Sequence, residues 1–224
     1  MQFFIIFFHL IKLSLLKQKN FITNSLFFLS FLIIFVLTVS PLNSSFESDL
    51  ANYKTKQSLL VCASVFALLF SLLASSFEFL KDDFNDGTLE QMQVRCSNFE
   101  MFVLAKILAN WLNHCLVNVF LVIILSLVFG FSFQFTCQFF WIFLLSSLLV
   151  NFLCCFAGSL TILGGSVSLI SFIVMPLILP IIIFSTLSVL DNYSQFLNIL
   201  LSLNIFLIPL LTYASSALIK VALD

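Results

Sequence analysis

The chain has 224 residues, of which 62% are hydrophobic and only 8% are charged, and its mean hydropathy is +1.20. Because soluble domains average about 45–50% apolar and about 25% charged residues, this composition excludes a soluble enzyme and a disordered regulator. The net charge is −1, from nine basic and ten acidic residues, which excludes a nucleic-acid binder as well. An all-α integral membrane protein in a lipid bilayer is therefore predicted.

Residues 1–20 predict a helix that lies in the membrane interface. The segment is apolar, but Gln2, His9, Lys12 and Lys19 fall near one helical face. A secretory signal has its basic residues before its apolar stretch, whereas these lysines follow it. We therefore expect the segment to stay in the mature protein.

Six apolar runs follow, each long enough to cross the hydrocarbon core, which takes about 20 residues. They cover approximately residues 21–40, 58–80, 102–131, 135–163, 167–190 and 196–219. Neither an internal repeat nor a long linker interrupts them. Residues 1–224 are therefore predicted to form a single membrane domain of six transmembrane helices.

The basic residues predict that both termini lie inside, on the cytoplasmic or matrix side. Lysine and arginine flank membrane spans mainly on the inside. With the N-terminus inside, only Lys54 and Lys56 lie outside. The seven others lie inside: Lys12, Lys17, Lys19, Lys81, Arg95, Lys106 and Lys220.

Residues 78–91, between the second and third runs, hold half of the acidic residues. Asp86-Gly87 is a turn signal, because glycine adopts positive φ at little cost. Thr88 and Gln91 have the spacing of a capping box, which starts a short helix. The apolar residues of that helix share one face: Leu89, Met92 and Cys96.

A second capping-box spacing, Ser97 with Glu100, begins the third run. The segment thus predicts an acidic turn, a short helix on the inside, and then a membrane helix. Two interpretations stay open from the residues alone. It is either a solvated loop between spans or a docking surface for a soluble partner.

The third run carries a polar stripe, Lys106, Asn110, Asn113, His114 and Asn118, on one helical face. Such a face is expected to point into the bundle rather than at lipid. A buried histidine is able to ligate haem iron. Because asparagines surround His114, we expect hydrogen bonding between helices instead.

Pro176 and Pro180 are predicted to bend or break the helix of the fifth run, since proline removes a helical hydrogen bond. Such a break is consistent with a moving helix, and a static kink is the more frequent explanation.

The sequence contains no phosphate-binding loop, no nucleophile with a base, and no pair of carboxylates inside a span. The six cysteines show no metal-binding spacing and are expected to be buried thiols. We therefore predict that the chain is not an enzyme and holds no cofactor of its own.

Residues 79–91 closely resemble the signature of the cytochrome c maturation protein B family, also called haem exporter protein B or CcmB. That family has phenylalanine, a basic residue, two aspartates and then Asp-Gly-Ser/Thr-Leu-Glu-Gln. Residues 103–106 with Trp111 match its second block. Pro176 and Pro180, preceded by Gly158 and by residues 164–165, match a third. The loop at residues 164–166 is uncharged, whereas it is often basic in bacterial members.

The resemblance implies the permease subunit of an ABC-type transporter acting in haem delivery for cytochrome c maturation. Its implied partners are a separate ABC ATPase subunit, a haem-handling membrane protein and a haem chaperone, with two copies of the chain per complex. ATP hydrolysis by the partner would then drive release of the chaperone or haem export.

The resemblance also implies a segment that couples the ATPase to the spans: Asp82, Asp83, Asp86, Gly87, Leu89, Glu90, Gln91 and Met92. We expect Leu89 and Met92 to insert into a groove of the ATPase. The acidic side chains are expected to stay in water and meet basic residues of that partner.

Phenylalanine occurs 31 times, and eight of the nine basic residues are lysine, a bias typical of an AT-rich organellar gene. This predicts a mitochondrial inner-membrane protein with both termini in the matrix; the alternative is a bacterial inner membrane. The rival function is a structural subunit of a respiratory inner-membrane complex.

Overall fold

The computed structural model describes residues 21–39, 50–96, 98–164, 167–190 and 193–223, which are almost entirely α-helical. The predicted interfacial helix at residues 1–20 lies outside the described residues. Within them there are seven helices: α1 (Phe21–Val39), α2 (Leu50–Asn85), α3 (Thr88–Arg95), α4 (Phe99–Val128), α5 (Phe133–Ile162), α6 (Val167–Leu190) and α7 (Tyr193–Leu223). A helix pairs its backbone N–H and C=O groups within its own segment, which is required in lipid because no water is there to bond them.

Four stretches of the described chain are long and apolar enough to cross a membrane: Lys54–Leu73, Phe99–Val128, Phe133–Ile162 and Tyr193–Leu223. Two shorter apolar stretches, Ser25–Ile34 and Val174–Leu190, lie in α1 and α6. The described residues therefore confirm a helical membrane protein. That α1 and α6 also cross the bilayer stays a prediction.

The central helix of the bundle is α5, which packs against α2, α4, α6 and α7. Its inward side chains are fully buried, among them Phe143, Leu149 and Leu153. α1 packs against α2 and α4, and its Phe28 ring meets Phe143 edge-on at 6.1 Å between centroids. A polar group on the inward face of α5 is thus shielded from lipid by its neighbouring helices.

The helix of the second span is longer than predicted, because α2 continues to Asn85. The acidic residues at 82 and 83 are therefore helical, and the turn is confined to Asp86 and Gly87. The Asp86 amide donates to the Asp82 carbonyl at 2.9 Å, and the Gly87 amide donates to the Phe84 carbonyl at 3.1 Å. Gly87 then reverses the chain direction with a φ of 68°.

Both predicted capping boxes need correction. The N-cap of α3 is Gly87, so Thr88 is already helical, and its hydroxyl donates to the Asp83 carbonyl at 2.9 Å. The left-handed turn brings Thr88 back over the end of α2, which is why its hydroxyl bonds there. The N-cap of α4 is Asn98. Ser97 lies outside the described residues.

A tight connection sets α4 and α5 antiparallel. Gly130, at φ 68°, ends α4, and the Phe131 amide donates to the Ser126 carbonyl at 3.2 Å. A left-handed glycine followed by a residue whose amide bonds the carbonyl five residues earlier forms a Schellman motif. Ser132 then caps α5 by accepting the Phe135 amide at 3.3 Å. The two helices consequently face each other along their length.

Pro176 and Pro180 do not interrupt the helix, because α6 runs continuously through both, and that they bend it stays a prediction. α7 likewise continues through Pro209. Membrane helices tolerate proline where neighbouring helices or local adjustments satisfy the carbonyls that it frees.

Candidate functional site

The acidic turn lies at the end of the bundle where α2 ends, α3 lies, and α4 begins. The end of α7 meets the same region, because the Lys220 ammonium is 3.7 Å from the Glu100 carboxylate. At the other end, the Lys54 ammonium donates to the Leu190 carbonyl at 3.5 Å. The described basic residues thus lie at two different ends of the bundle, in the same two groups that the charge count predicted.

α3 lies on the bundle with its apolar face inward. Leu89 is 1% exposed, and Met92 and Cys96 pack against the same core. The prediction that Leu89 inserts into a partner's groove was therefore wrong. An apolar face is stabilised by the nearest apolar surface, which here belongs to α2 and α4.

The opposite side of α3 and the end of α2 form an exposed surface, which we call the turn surface. Its residues are Asp82, Asp86, Glu90, Gln91, Val94 and Arg95. Val94 is 85% exposed. Sequence reasoning missed Val94 and Arg95, although Val94 falls on the helical face opposite Leu89 and thereby signals its exposure.

Asp83 does not belong to the turn surface. Its carboxylate forms an ion pair with the Lys106 ammonium of α4, and the two side chains are only 19% and 10% exposed. The expectation that Asp83 stays in water was wrong. In the sequence, Asp83 belongs to the acidic segment and Lys106 to the polar stripe of the third run. The structure brings these two features together.

Above this ion pair, hydrogen bonds join α4 to the central helix. The Asn110 side-chain amide donates to the Asn151 side-chain oxygen at 3.0 Å, and Asn151 donates to the Ile107 carbonyl at 3.1 Å. One helical turn beyond Ile107, the Trp111 indole donates to the Ser147 hydroxyl at 3.1 Å. We call these contacts the α4–α5 ladder.

The polar stripe of α4 points into the bundle, as predicted. Its members are between 1% and 8% exposed: Lys106, Asn110, Asn113, His114 and Asn118. Their counterparts Ser147 and Asn151 on α5 were missed. The signal was present, since Ser147, Asn151 and Cys155 recur every fourth residue and so lie on one face of the helix.

His114 is 4% exposed within this stripe. Among the described residues, no three histidine, cysteine or acidic side chains group in a way that would hold a metal ion. All six cysteines are free thiols. Cys137 is exposed, in contrast to the predicted burial, because it lies on the outer face of α5.

The chain resembles known proteins along nearly its whole length. The sequence model of the CcmB protein family matches residues 1–222. Heme exporter protein B of Haemophilus influenzae is 30% identical over 226 residues, which cover 96% of this chain and 95% of that protein. An uncharacterized protein of Rickettsia conorii is 30% identical over 221 residues, covering 95% of each chain. The chain belongs to the CcmB family.

Proposed function

We propose that this chain is the permease subunit of an ABC-type complex that acts in haem delivery for cytochrome c maturation. The observation that carries the proposal is the family match over residues 1–222. A relative of nearly equal length is named heme exporter protein B. The apolar helical bundle suits a membrane subunit, because lipid surrounds such helices without cost to their backbone.

The energy for this work has to come from a second protein. The 224 residues contain no GxxxxGK[ST] motif to hold nucleotide phosphates. We assign the contact with a separate ATPase subunit to the turn surface. Its carboxylates at Asp82, Asp86 and Glu90 suit basic residues of a partner, and the exposed Val94 supplies an apolar contact.

The turn surface also lies where a movement of α3 would be passed on to the helices of the bundle. α3 follows α2 directly after Gly87 and contacts both α2 and α4. Its own residue Leu89 is buried against the bundle. A partner that moves α3 therefore moves the ends of two long helices. The proposed output is release of a haem-loaded chaperone or haem export, in concert with a haem-handling membrane protein.

We place the chain in an inner membrane with six spans, both termini inside, and two copies per complex. The composition bias toward phenylalanine and lysine favours a mitochondrial gene. A bacterial inner membrane fits the relatives from Haemophilus and Rickettsia equally well.

Affinity purification from solubilised inner membrane, followed by mass spectrometry, tests the proposal. We expect an ABC ATPase and proteins of cytochrome c maturation to co-purify. Recovery of a respiratory complex without an ATPase would instead identify a structural subunit of that complex.

A second measurement concerns the nucleotide. Photo-crosslinking with an azido-ATP analogue is expected to label the ATPase subunit and to leave this purified chain unlabelled. Stoichiometric labelling of this chain would contradict the assignment of ATP binding to a partner.

A further inference from the structure

We propose that Asp83 and Lys106 form a partly buried strut that fixes α3 on the bundle, which makes Lys106 a positioning residue for the turn surface. The consequence for partner binding rests on the proposed function, whereas the strut itself is a property of this chain alone.

Asp83 is joined to three helices at once. It belongs to the last turn of α2, its carboxylate pairs with Lys106 on α4, and its carbonyl accepts the Thr88 hydroxyl at the first residue of α3. Thr88 is followed directly by the buried Leu89. Asp83 thus lies at the point from which α3 departs, and its carboxylate ties that point to α4.

The Lys106 end of the strut is held by the central helix. Asn110 lies one turn beyond Lys106, and Ile107 is its neighbour in sequence. Both are bonded to Asn151 on α5, through the Asn110 side chain and the Ile107 carbonyl. The anchor of the strut is therefore the α4–α5 ladder rather than a mobile surface side chain.

Partial burial makes this pair more consequential than a surface ion pair, because its side chains are only 19% and 10% exposed. Removing one partner of a shielded pair takes away a charge that the other partner faces, at greater cost than in open water. An exposed pair contributes little. Lys220 with Glu100 is such a pair, at the same end of the bundle, with side chains 42% and 49% exposed. It provides the matched control.

Hydrogen–deuterium exchange of the purified full chain in lipid nanodiscs tests the strut, with peptides that cover residues 86–96. In Lys106→Met we expect exchange in this segment to become about tenfold faster or more, because α3 opens locally. Peptides from α7 are expected to stay unchanged. Lys106→Arg, which keeps the charge, is expected to restore slow exchange, and Lys220→Met should match the unsubstituted chain.

The double variant Asp83→Asn/Lys106→Met separates a charge pair from a packing effect. In the double variant neither charge of the pair remains, so we expect less acceleration than in Lys106→Met alone. Exchange in Lys106→Met equal to that in Lys220→Met would overturn the strut, and so would strictly additive effects in the double variant. If Lys106→Met does not insert, Asp83→Asn gives the same comparison with Lys220→Met.

Co-purification of the ATPase with the same variants distinguishes the two proposals. Faster exchange together with loss of the ATPase supports both. Faster exchange with the ATPase retained supports the strut and removes the turn surface as the docking site. Unchanged exchange overturns the strut, whatever co-purifies.

Discussion

Gly87 is the single residue that reverses the chain between α2 and α3, with a φ of 68°. A β-branched side chain in this left-handed region costs roughly 1–2 kcal/mol, although the position has open space around it. We therefore expect Gly87→Val to displace α3 and to reduce cytochrome c maturation strongly, while the chain still inserts into the membrane. The measurement is the yield of mature cytochrome c in cells that express the variant.

Gly87→Asn is the matched control, because asparagine tolerates this conformation better than valine does. It is expected to keep most of the yield. Asp82→Asn removes one exposed charge and is expected to have a small effect. Normal maturation with Gly87→Val would mean that the turn is only a connector.

Leu89 and Val94 lie on opposite faces of α3, 1% and 85% exposed respectively. Leu89→Ala deletes a buried side chain, which typically costs about 2–5 kcal/mol, so we expect a lower unfolding temperature of the detergent-solubilised chain. Val94→Ala is expected to leave that temperature unchanged and to weaken retention of the ATPase.

The same pair of variants decides which face of α3 meets the partner. If Val94→Ala destabilises the chain and Leu89→Ala weakens only retention of the ATPase, then α3 is turned the other way, as the sequence had predicted.

At the scale of elements, the α4–α5 ladder is a set of polar contacts between two described helices. Asn151→Ala removes two hydrogen bonds to α4, with a typical cost of about 1–2 kcal/mol in total. We expect unfolding in sodium dodecyl sulfate to begin at a lower detergent fraction. The control is Asn198→Ala, an exposed position on α7. Equal losses in both variants would contradict an energetic role for the ladder.

The elements themselves follow from local signals to different degrees. The apolar runs predicted the long helices, because twenty apolar residues in lipid have no better conformation than a helix. Their ends were less predictable. α2 extends to Asn85 and α4 begins at Phe99. Polar residues continue a helix wherever neighbouring residues or water bond the backbone N–H and C=O groups at its end.

At the scale of the whole molecule, the charge asymmetry predicts the topology. Cysteines placed at the exposed positions Val94 and Ser194 are expected to react with a membrane-impermeant maleimide from opposite sides, with Val94→Cys inside. Peptide mapping separates them from the native thiols, among which Cys137 is exposed. Reaction of both from one side would overturn the six-span arrangement.

The amino-acid sequence by itself determined the membrane environment, the helical class, the family signature at residues 79–91 and the inward direction of the α4 stripe. These follow from composition, periodicity and short motifs, which depend on neighbours along the chain. Only the tertiary structure decided that Asp83 pairs with Lys106, 23 residues away, and that Asn110 bonds Asn151, 41 residues away. It likewise decided that Leu89 faces the bundle and Val94 the solvent. An amphipathic helix defines two faces, but the helices packed beside it determine which face is buried.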